Sequence, residues 1–248
     1  MIVRQVQNVF QILELFSSRR SPATLTEIAD HFGWPRSSTF NLIETLCSSG
    51  FLYEPKFRGG YYPSMKLLKL ANDAITGGPI SERLRACIAN IAQRTDETAA
   101  LCALSGPQTI FVEVVESSSP IRYFAQIGQR VPTHTTSAGR ALLSMLQKKE
   151  RTAILQKCEW IRYAPETIMT MDALHDEIEQ TQKRGWAQNN NGFEPDLVGL
   201  AVPVDLEDRQ FSMMVAGPSY RMKDRIPDLV QMLKDEVAGY LSERSENE

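Results

Sequence analysis

The chain has 248 residues, of which 42% are hydrophobic and 23% are charged, as in a soluble globular protein of one large or two modest domains. No apolar run reaches the roughly 18 residues of a membrane span, and the N-terminus lacks an export signal, so we expect a cytoplasmic protein that contacts no membrane. The net charge of −3 is uneven: residues 1–78 carry 8 basic and 6 acidic side chains, and the remainder carries 19 and 24.

Apolar residues at helical spacing predict three helices in the basic N-terminal segment. The first helix has its apolar stripe at Val6, Val9, Phe10, Leu13 and Phe16. The second has its stripe at Leu25, Ile28, Ala29 and Phe32. The third has its stripe at Phe40, Ile43, Leu46 and Cys47. Gly33 and Pro35 break the chain between the second and third helices, which predicts a helix-turn-helix.

The third helix has a second face of short polar side chains and one cation, which favours DNA contact. These residues are Arg36, Ser37, Ser38, Thr39, Asn41, Thr45 and Ser48. Hydroxyl and amide groups reach base edges in the major groove, and a helix N-terminus attracts phosphate. The alternative is an ordinary solvated helix face, because helix surfaces are polar by default.

A small hairpin with a basic tip follows the third helix. Residues 51–53 and 61–62 are predicted strands, and Lys56 and Arg58 lie in the turn between them. Such a wing can place its cations on phosphates or in the minor groove. Helix, turn, helix and basic wing in this order predict binding to a double-stranded DNA operator, with a winged-helix module for protein contacts as the alternative.

A linker helix is predicted at residues 64–75, with Met65, Leu68 and Ala71 or Asn72 turned inward. Gly77, Gly78 and Pro79 mark a domain boundary. The expected domains are a DNA-binding domain at 1–63, the linker helix at 64–78 and a second domain at 79–248. Because the DNA-binding segment has a net charge of only +2, we expect two linked copies, with the partner face on the first helix and the linker helix.

The second domain alternates strands and helices, which predicts an α+β fold with an antiparallel sheet. The expected strands are 98–104, 109–116, 121–127, 186–190, 199–204 and 211–216. The expected helices are 80–94, 137–147, 149–157, 171–184 and 223–241.

No pattern indicates an enzyme. His134, Ser137 and Glu194 lack a G-x-S-x-G elbow, so we expect no catalytic residues. The histidines and the four cysteines show no metal-ligand spacing, and we expect no cofactor, with zinc at His134 and loop residues as the alternative.

Blocks along nearly the whole chain resemble the IclR family of transcriptional regulators. They are LTEIADHFGWPRSSTFNLIETLCSSGFL in the N-terminal segment, PTHTTSAGRALLS at 132–144, RGWAQNNNGFEPDLVGLAVPV at 184–204 and FSMMVAGP at 211–218. The resemblance implies a winged helix-turn-helix, a linker helix and a GAF-like effector-binding domain. It also implies a homodimer or a dimer of dimers, acting as a repressor whose DNA binding responds to a small molecule.

The resemblance also implies which residues line the effector pocket. They are Tyr123, Ser137, Ala138, Gly139, Asn189, Leu197, Gly199, Met214 and Ala216. A helix that begins near Ser137 would offer N–H groups to a small carboxylate; the alternative is that Ser137 is only a helix cap and the strand residues are core. Three asparagines at 189–191 and the small residue Gly199 differ from the family's more acidic and polar pattern, which favours an aromatic or bulkier carboxylate.

Overall fold

The computed structural model describes residues 2–75, 80–206 and 209–245. The chain falls into two units, residues 1–79 and 80–248. The predicted boundary residues Gly77, Gly78 and Pro79 lie outside the described residues. Within the described ranges, no helix is long and apolar enough to cross a membrane.

The first unit is a winged helix-turn-helix followed by one further helix. Its elements are α1 (Arg4–Arg19), α2 (Leu25–Phe32), α3 (Arg36–Ser48), β1 (Leu52–Tyr53), β2 (Tyr62–Pro63) and α4 (Met65–Ile75). The strands β1 and β2 pair antiparallel and form the wing. The core side chains are Ile12, Phe16, Ala23, Ile28, Ile43, Leu46 and Leu52.

Local sequence signals set the turn between α2 and α3. The Thr24 hydroxyl accepts a hydrogen bond from the Glu27 N–H, and the Glu27 carboxylate accepts one from the Thr24 N–H, which makes a capping box at the start of α2. Gly33 ends α2 with a φ of +65°, a conformation that favours glycine. Pro35 then directly precedes α3, so the two helices are joined by a tight turn as the sequence predicts.

Several apolar side chains expected in this core are exposed instead. Val6 and Phe10 of α1 are 52% and 58% exposed, and only Ile12 and Phe16 of that helix are buried. Phe40 of α3 is 46% exposed. The predicted stripes are wider than the surface that a three-helix core of this size can cover.

The linker helix α4 differs more strongly from its prediction. Met65 and Leu68 were expected to face inward, but they are 74% and 52% exposed, and α4 has no buried residue. The apolar side of α4 is therefore not buried against a hydrophobic core within the described part of the first unit.

The second unit is built on one antiparallel sheet of six strands in the order β5-β4-β3-β8-β7-β6. The strands are β3 (Thr98–Ser105), β4 (Gln108–Val115), β5 (Arg130–Pro132), β6 (Ala187–Asn190), β7 (Leu197–Leu206) and β8 (Arg209–Pro218). The helices are α5 (Glu82–Thr95), α6 (Ser137–Met145), α7 (Lys148–Leu155), α8 (Met171–Arg184), α9 (Ser219–Met222) and α10 (Ile226–Ser245). A 3₁₀ turn at Lys223–Arg225 joins α9 to α10.

Helices cover both faces of this sheet. Leu84, Ile88 and Ile91 of α5 share a hydrophobic cluster with Leu229 and Leu233 of α10 and with one face of the strands. On the other face, α6 packs on β7 and β8 and also contacts α8. The arrangement confirms the predicted α+β fold class with an antiparallel sheet.

The prediction of a strand at residues 121–127 is wrong. This segment belongs to no strand of the sheet, although Ala125 is buried and Phe124 is exposed. The edge beside β4 is taken instead by β5, which pairs with β4 over only three residues. The segment is fixed by a side chain, since the Thr98 hydroxyl donates to the Tyr123 carbonyl at 2.6 Å.

Candidate functional site

The exposed face of α3 is the first candidate site. Arg36, Ser37, Ser38 and Asn41 are all exposed. No side chain caps the start of α3, and its first turn contains no acidic residue. The N-terminus of α3 therefore offers N–H groups and the Arg36 cation to an anion such as phosphate.

The structure corrects one of the predicted DNA contacts, Thr39. Its side chain is fully buried, and its hydroxyl donates to the Pro35 carbonyl at 3.1 Å. Thr39 lies on the core side of α3, so it anchors the start of the helix and is not free to contact DNA. Phe40 instead lies on the exposed side, a position that its spacing of four residues from both Arg36 and Glu44 could have indicated.

The wing presents both predicted cations, because Lys56 and Arg58 are exposed. Its turn is closed by the Gly59 N–H, which donates to the Lys56 carbonyl at 2.7 Å. Gly60 has a φ of +92°, and a Cβ there would lie 2.7 Å from the backbone of Ala23. Ala23 also forms an antiparallel bridge with Tyr61, so the base of the wing is fastened to the segment before α2.

The start of α6 is the centre of the second candidate site. Its N-cap is Thr136 and not Ser137, because the Thr136 hydroxyl accepts from the Gly139 N–H at 3.2 Å. Ser137 and Ala138 are the first two residues of the helix, and helix geometry leaves their N–H groups without intrahelical partners. Gly139 packs on Thr133 so closely that a Cβ would overlap the Thr133 backbone.

Ser137 faces strand β7 of the sheet. A Cβ placed on Gly199 of β7 would lie 2.8 Å from the Ser137 Oγ atom. Gly199 pairs with Asn189 of β6 on one side and with Ala216 of β8 on the other. The Ser137 side chain is 2% exposed, and its hydroxyl makes no hydrogen bond within the described ranges.

Apolar side chains surround this point. Ala138, Leu197, Met214 and Ala216 belong to one hydrophobic cluster, and Tyr123 packs against it. Burial raises the pKa of the Tyr123 hydroxyl well above its ordinary value, so the ring stays neutral. Asn189 has a local role, since its Oδ1 atom accepts from the Gly192 N–H at 3.0 Å and closes the turn after β6.

A surface cavity of about 530 Å³ opens beside two of the predicted residues, Tyr123 and Leu197. Its remaining lining residues are Ile121, Arg122, Phe124, Glu194, Pro195, Asp196, Pro218 and Tyr220. Of the predicted effector residues, Tyr123 and Leu197 line this cavity, and we call them the mouth. Ser137, Gly199, Met214 and Ala216 are buried and do not line this cavity, and we call them the floor. The carboxylates Glu194 and Asp196 at this cavity were not anticipated, because they come from a loop without a periodic pattern.

His134 precedes α6 and Arg140 lies within it, and both are buried. His134 is 1% exposed, and burial lowers its pKa to about 4, with a smaller effect from the Arg140 charge. Arg140 donates to the His134 carbonyl at 3.3 Å and to the Gln188 carbonyl at 2.7 Å, which ties α6 to β6. Among the described residues, no group of three or more His, Cys, Asp or Glu side chains could hold a metal ion.

Known proteins are similar to this chain in both units. The family model for the IclR helix-turn-helix domain matches residues 5–55, and the model for the bacterial transcriptional regulator IclR C-terminal domain matches residues 72–240. The regulator XynR of Escherichia coli is 27% identical, covering 82% of this chain and 81% of its own length. The probable regulator SauR of Cupriavidus necator is 29% identical, covering 79% of this chain and 77% of its own length.

Solved structures agree with the fold. The IclR protein of Thermotoga maritima matches with a TM-score of 0.77 at 23% identity, covering 95% of this chain and 96% of its own. An IclR homologue from Microbacterium hydrocarbonoxydans, solved with 4-hydroxybenzoate, matches with a TM-score of 0.71 at 22% identity, covering 95% and 96%. With family models matching both units, this chain belongs to the IclR family of DNA-binding transcriptional regulators, a family whose members are not enzymes.

Proposed function

We propose that this regulator is a repressor whose operator binding is modulated by a small carboxylate effector, with an aromatic acid as the favoured class. The observation that carries the proposal is the buried Ser137 side chain at the start of α6, which lies directly opposite Gly199. The acetate operon repressor of Salmonella typhimurium, 25% identical, supports the direction of regulation. The homologue solved with 4-hydroxybenzoate supports the effector class.

The chemistry of the floor fits a carboxylate with an apolar body. The N–H groups of Ser137 and Ala138 and the positive end of α6 favour an anion. The walls at Leu197, Met214 and Ala216 are apolar, and the ring of Tyr123 borders the cavity. Gly199 contributes no side chain, and the Ser137 hydroxyl occupies the space that a side chain at this position would fill.

On the DNA side, we propose that Arg36, Ser37, Ser38 and Asn41 enter the major groove. Lys56 and Arg58 of the wing then contact phosphate or the minor groove. The support is the exposure of all six side chains, together with the uncapped start of α3. Thr39 is excluded from this set by its burial.

We also propose that the regulator acts as a homodimer or a dimer of dimers. Exposed apolar side chains lie at the N-cap of α1 and along α1 and α4 of the first unit, at Val3, Val6, Phe10, Met65, Leu68 and Ile75. A second copy would remove these side chains from water. It would also supply a second DNA-binding unit on the same operator, and the linked units would gain effective concentration.

The effector proposal is tested by thermal shift and titration with a panel of benzoates and short aliphatic acids. A ligand that binds only the folded state raises the melting temperature by mass action. We expect 4-hydroxybenzoate or a related aromatic acid to raise it more than pyruvate or glyoxylate does. Equal or absent shifts for all aromatic acids would contradict the proposed effector class.

The variant Gly199→Phe tests the place of the site. Its side chain must enter the space beside Ser137, so we expect loss of the ligand-induced shift while DNA binding persists. The matched control is Gly239→Phe, because Gly239 of α10 is exposed and a Cβ there meets no atom within 4 Å. If Gly199→Phe keeps the dissociation constant of the unaltered protein, the effector site lies elsewhere.

A further inference from the structure

The tip of the wing carries an unusual residue for an exposed turn. Phe57 is 80% exposed, the highest value among the described large apolar side chains. It lies between the two wing cations Lys56 and Arg58. The Phe57 ring is not part of the hydrophobic cluster that forms the core of the first unit.

The ring is presented on a fixed support. Arg58 adopts a φ of +55°, a conformation that is uncommon for residues other than glycine and that reverses the chain directly after Phe57. Gly60 packs against the backbone of Ala23, and Tyr61 is bridged to Ala23, so the base of the turn cannot shift freely. The Arg58 guanidinium lies 5.2 Å from the centre of the Phe57 ring, an exposed contact that solvent or phosphate can replace.

We propose that Phe57 is a wedge that inserts between stacked base pairs in the minor groove and bends the operator. The proposal rests on the placement of the wing against DNA. Lys56 and Arg58 would hold phosphates on either side of the groove while the ring between them partly unstacks a base step. Proteins that bend DNA through the minor groove use apolar side chains such as Phe in this way, with kinks of about 20–90°.

The flanking charges favour DNA over a protein partner as the occupant of this tip. Burying Phe57 in an apolar protein surface would also remove Lys56 and Arg58 from water without a counter-charge. Phosphates on both sides of a groove supply that counter-charge. Glu54, the acidic residue of the turn, lies next to β1 at the base of the wing and not beside the ring in sequence.

The test uses the full-length protein and the tightest-binding duplex that it selects from a randomised 40-bp library, a length chosen to hold about four helical turns. Bending is measured by energy transfer between dyes at the duplex ends, and unstacking by 2-aminopurine fluorescence along the site. The variants are Phe57→Ala, Phe57→Leu and Arg58→Ala. Each variant is first checked for an unchanged melting temperature, which the exposure of both side chains leads us to expect.

We expect the unaltered protein to bend the duplex by at least about 20° and to raise 2-aminopurine fluorescence at one or two steps. Phe57→Ala should abolish both signals and weaken binding on the order of tenfold, with an unchanged salt slope. Phe57→Leu should keep most of the bend, since leucine also serves as a wedge. Arg58→Ala should keep the bend and lower the slope of log affinity against log salt by about 0.9.

Three results would overturn the proposal. A straight duplex in the complex with the unaltered protein excludes a wedge. A bend that survives Phe57→Ala assigns the bending to other residues. If Arg58→Ala keeps the salt slope and Phe57→Ala keeps the bend, the wing does not contact the DNA. The proposed DNA binding through α3 would not be contradicted by this result.

Discussion

At the scale of single residues, the adjacent Ser38 and Thr39 of α3 lie in opposite surroundings. Ser38 is exposed on α3, whereas Thr39 is fully buried with its hydroxyl on the Pro35 carbonyl. The two side chains are chemically similar and adjacent. Their different surroundings therefore predict opposite effects for the same substitution.

Thr39→Ala should lower the free energy of unfolding by about 1–2 kcal/mol, because it removes a hydrogen bond and a buried methyl group. Ser38→Ala should leave that free energy within about 0.5 kcal/mol and weaken operator binding instead. Urea denaturation and DNA titration of both variants measure the two effects. Stability that is unchanged in Thr39→Ala would show that the Pro35 contact contributes nothing.

His134 predicts a pH dependence of stability. Burial lowers its pKa to about 4 in the folded state, whereas an unfolded histidine titrates near about 6.5. Between these values the unfolded state binds more protons, so the contribution of His134 is fully present above pH about 6.5 and is lost as the pH falls toward 4. The loss should be on the order of 2–3 kcal/mol.

The measurement is urea denaturation from pH 7.5 to 4.5 for the unaltered protein and for His134→Gln. The variant should lose most of the slope in this window. His31→Gln is the control, because His31 is exposed on α2, and it should keep the slope. A full slope in His134→Gln would assign the pH dependence to other groups.

At the scale of elements, the close contact between α6 and the loop before it predicts that replacing Gly139 lowers the stability of the protein. Gly139 has no room for a Cβ, because the Thr133 backbone occupies that space. Gly139→Ala should therefore push the start of α6 away from the sheet and cost roughly 1–3 kcal/mol of stability.

We expect the same variant to weaken effector binding, since the proposed site depends on where α6 begins. Gly239→Ala in α10 is the matched control, because a Cβ there has open space, and it should be neutral or slightly stabilising. Denaturation and ligand titration measure both variants. Normal effector affinity in a destabilised Gly139→Ala protein would separate the site from the start of α6.

The elements also show what the sequence could and could not predict. Long helices with clear periodicity, such as α8 at Met171–Arg184, were found at their predicted bounds. The three-residue strand β5 is too short to show an alternating pattern, and residues 121–127 show that pattern without a strand partner. Alternation of apolar and polar residues indicates that every second side chain is buried. Strand pairing depends in addition on which segment of the chain lies at the edge of the sheet.

The same limit applies to the candidate sites. The sequence identified the polar face of α3, but it placed the fully buried Thr39 on that face and Phe40 in the core. Both residues lie near the edge of the apolar stripe, where burial depends on the neighbouring helix and not on periodicity. The charged mouth residues Glu194 and Asp196 come from a loop, and only the folded chain brings them beside Tyr123.

At the scale of the whole molecule, the low charge of the DNA-binding segment and its exposed apolar side chains both support the proposed homodimer. Residues 1–78 carry a net charge of only +2, so one copy can make few phosphate contacts. Phe10 of α1 and Leu68 of α4 are more than half exposed in the single chain. A homodimer that covers these side chains would also place two DNA-binding units on one operator.

Phe10→Asp and Leu68→Asp should therefore shift sedimentation toward the monomer and weaken operator binding by roughly 100-fold or more, because the gain in effective concentration is lost. Ile161→Asp is the control, since Ile161 is 46% exposed in the second unit and lies outside α1 and α4. It should keep both the assembly and the affinity. A monomeric variant that still binds its operator as tightly as the unaltered protein would show that one copy suffices, and the low charge of its DNA-binding segment would then have to be offset by contacts within a single unit.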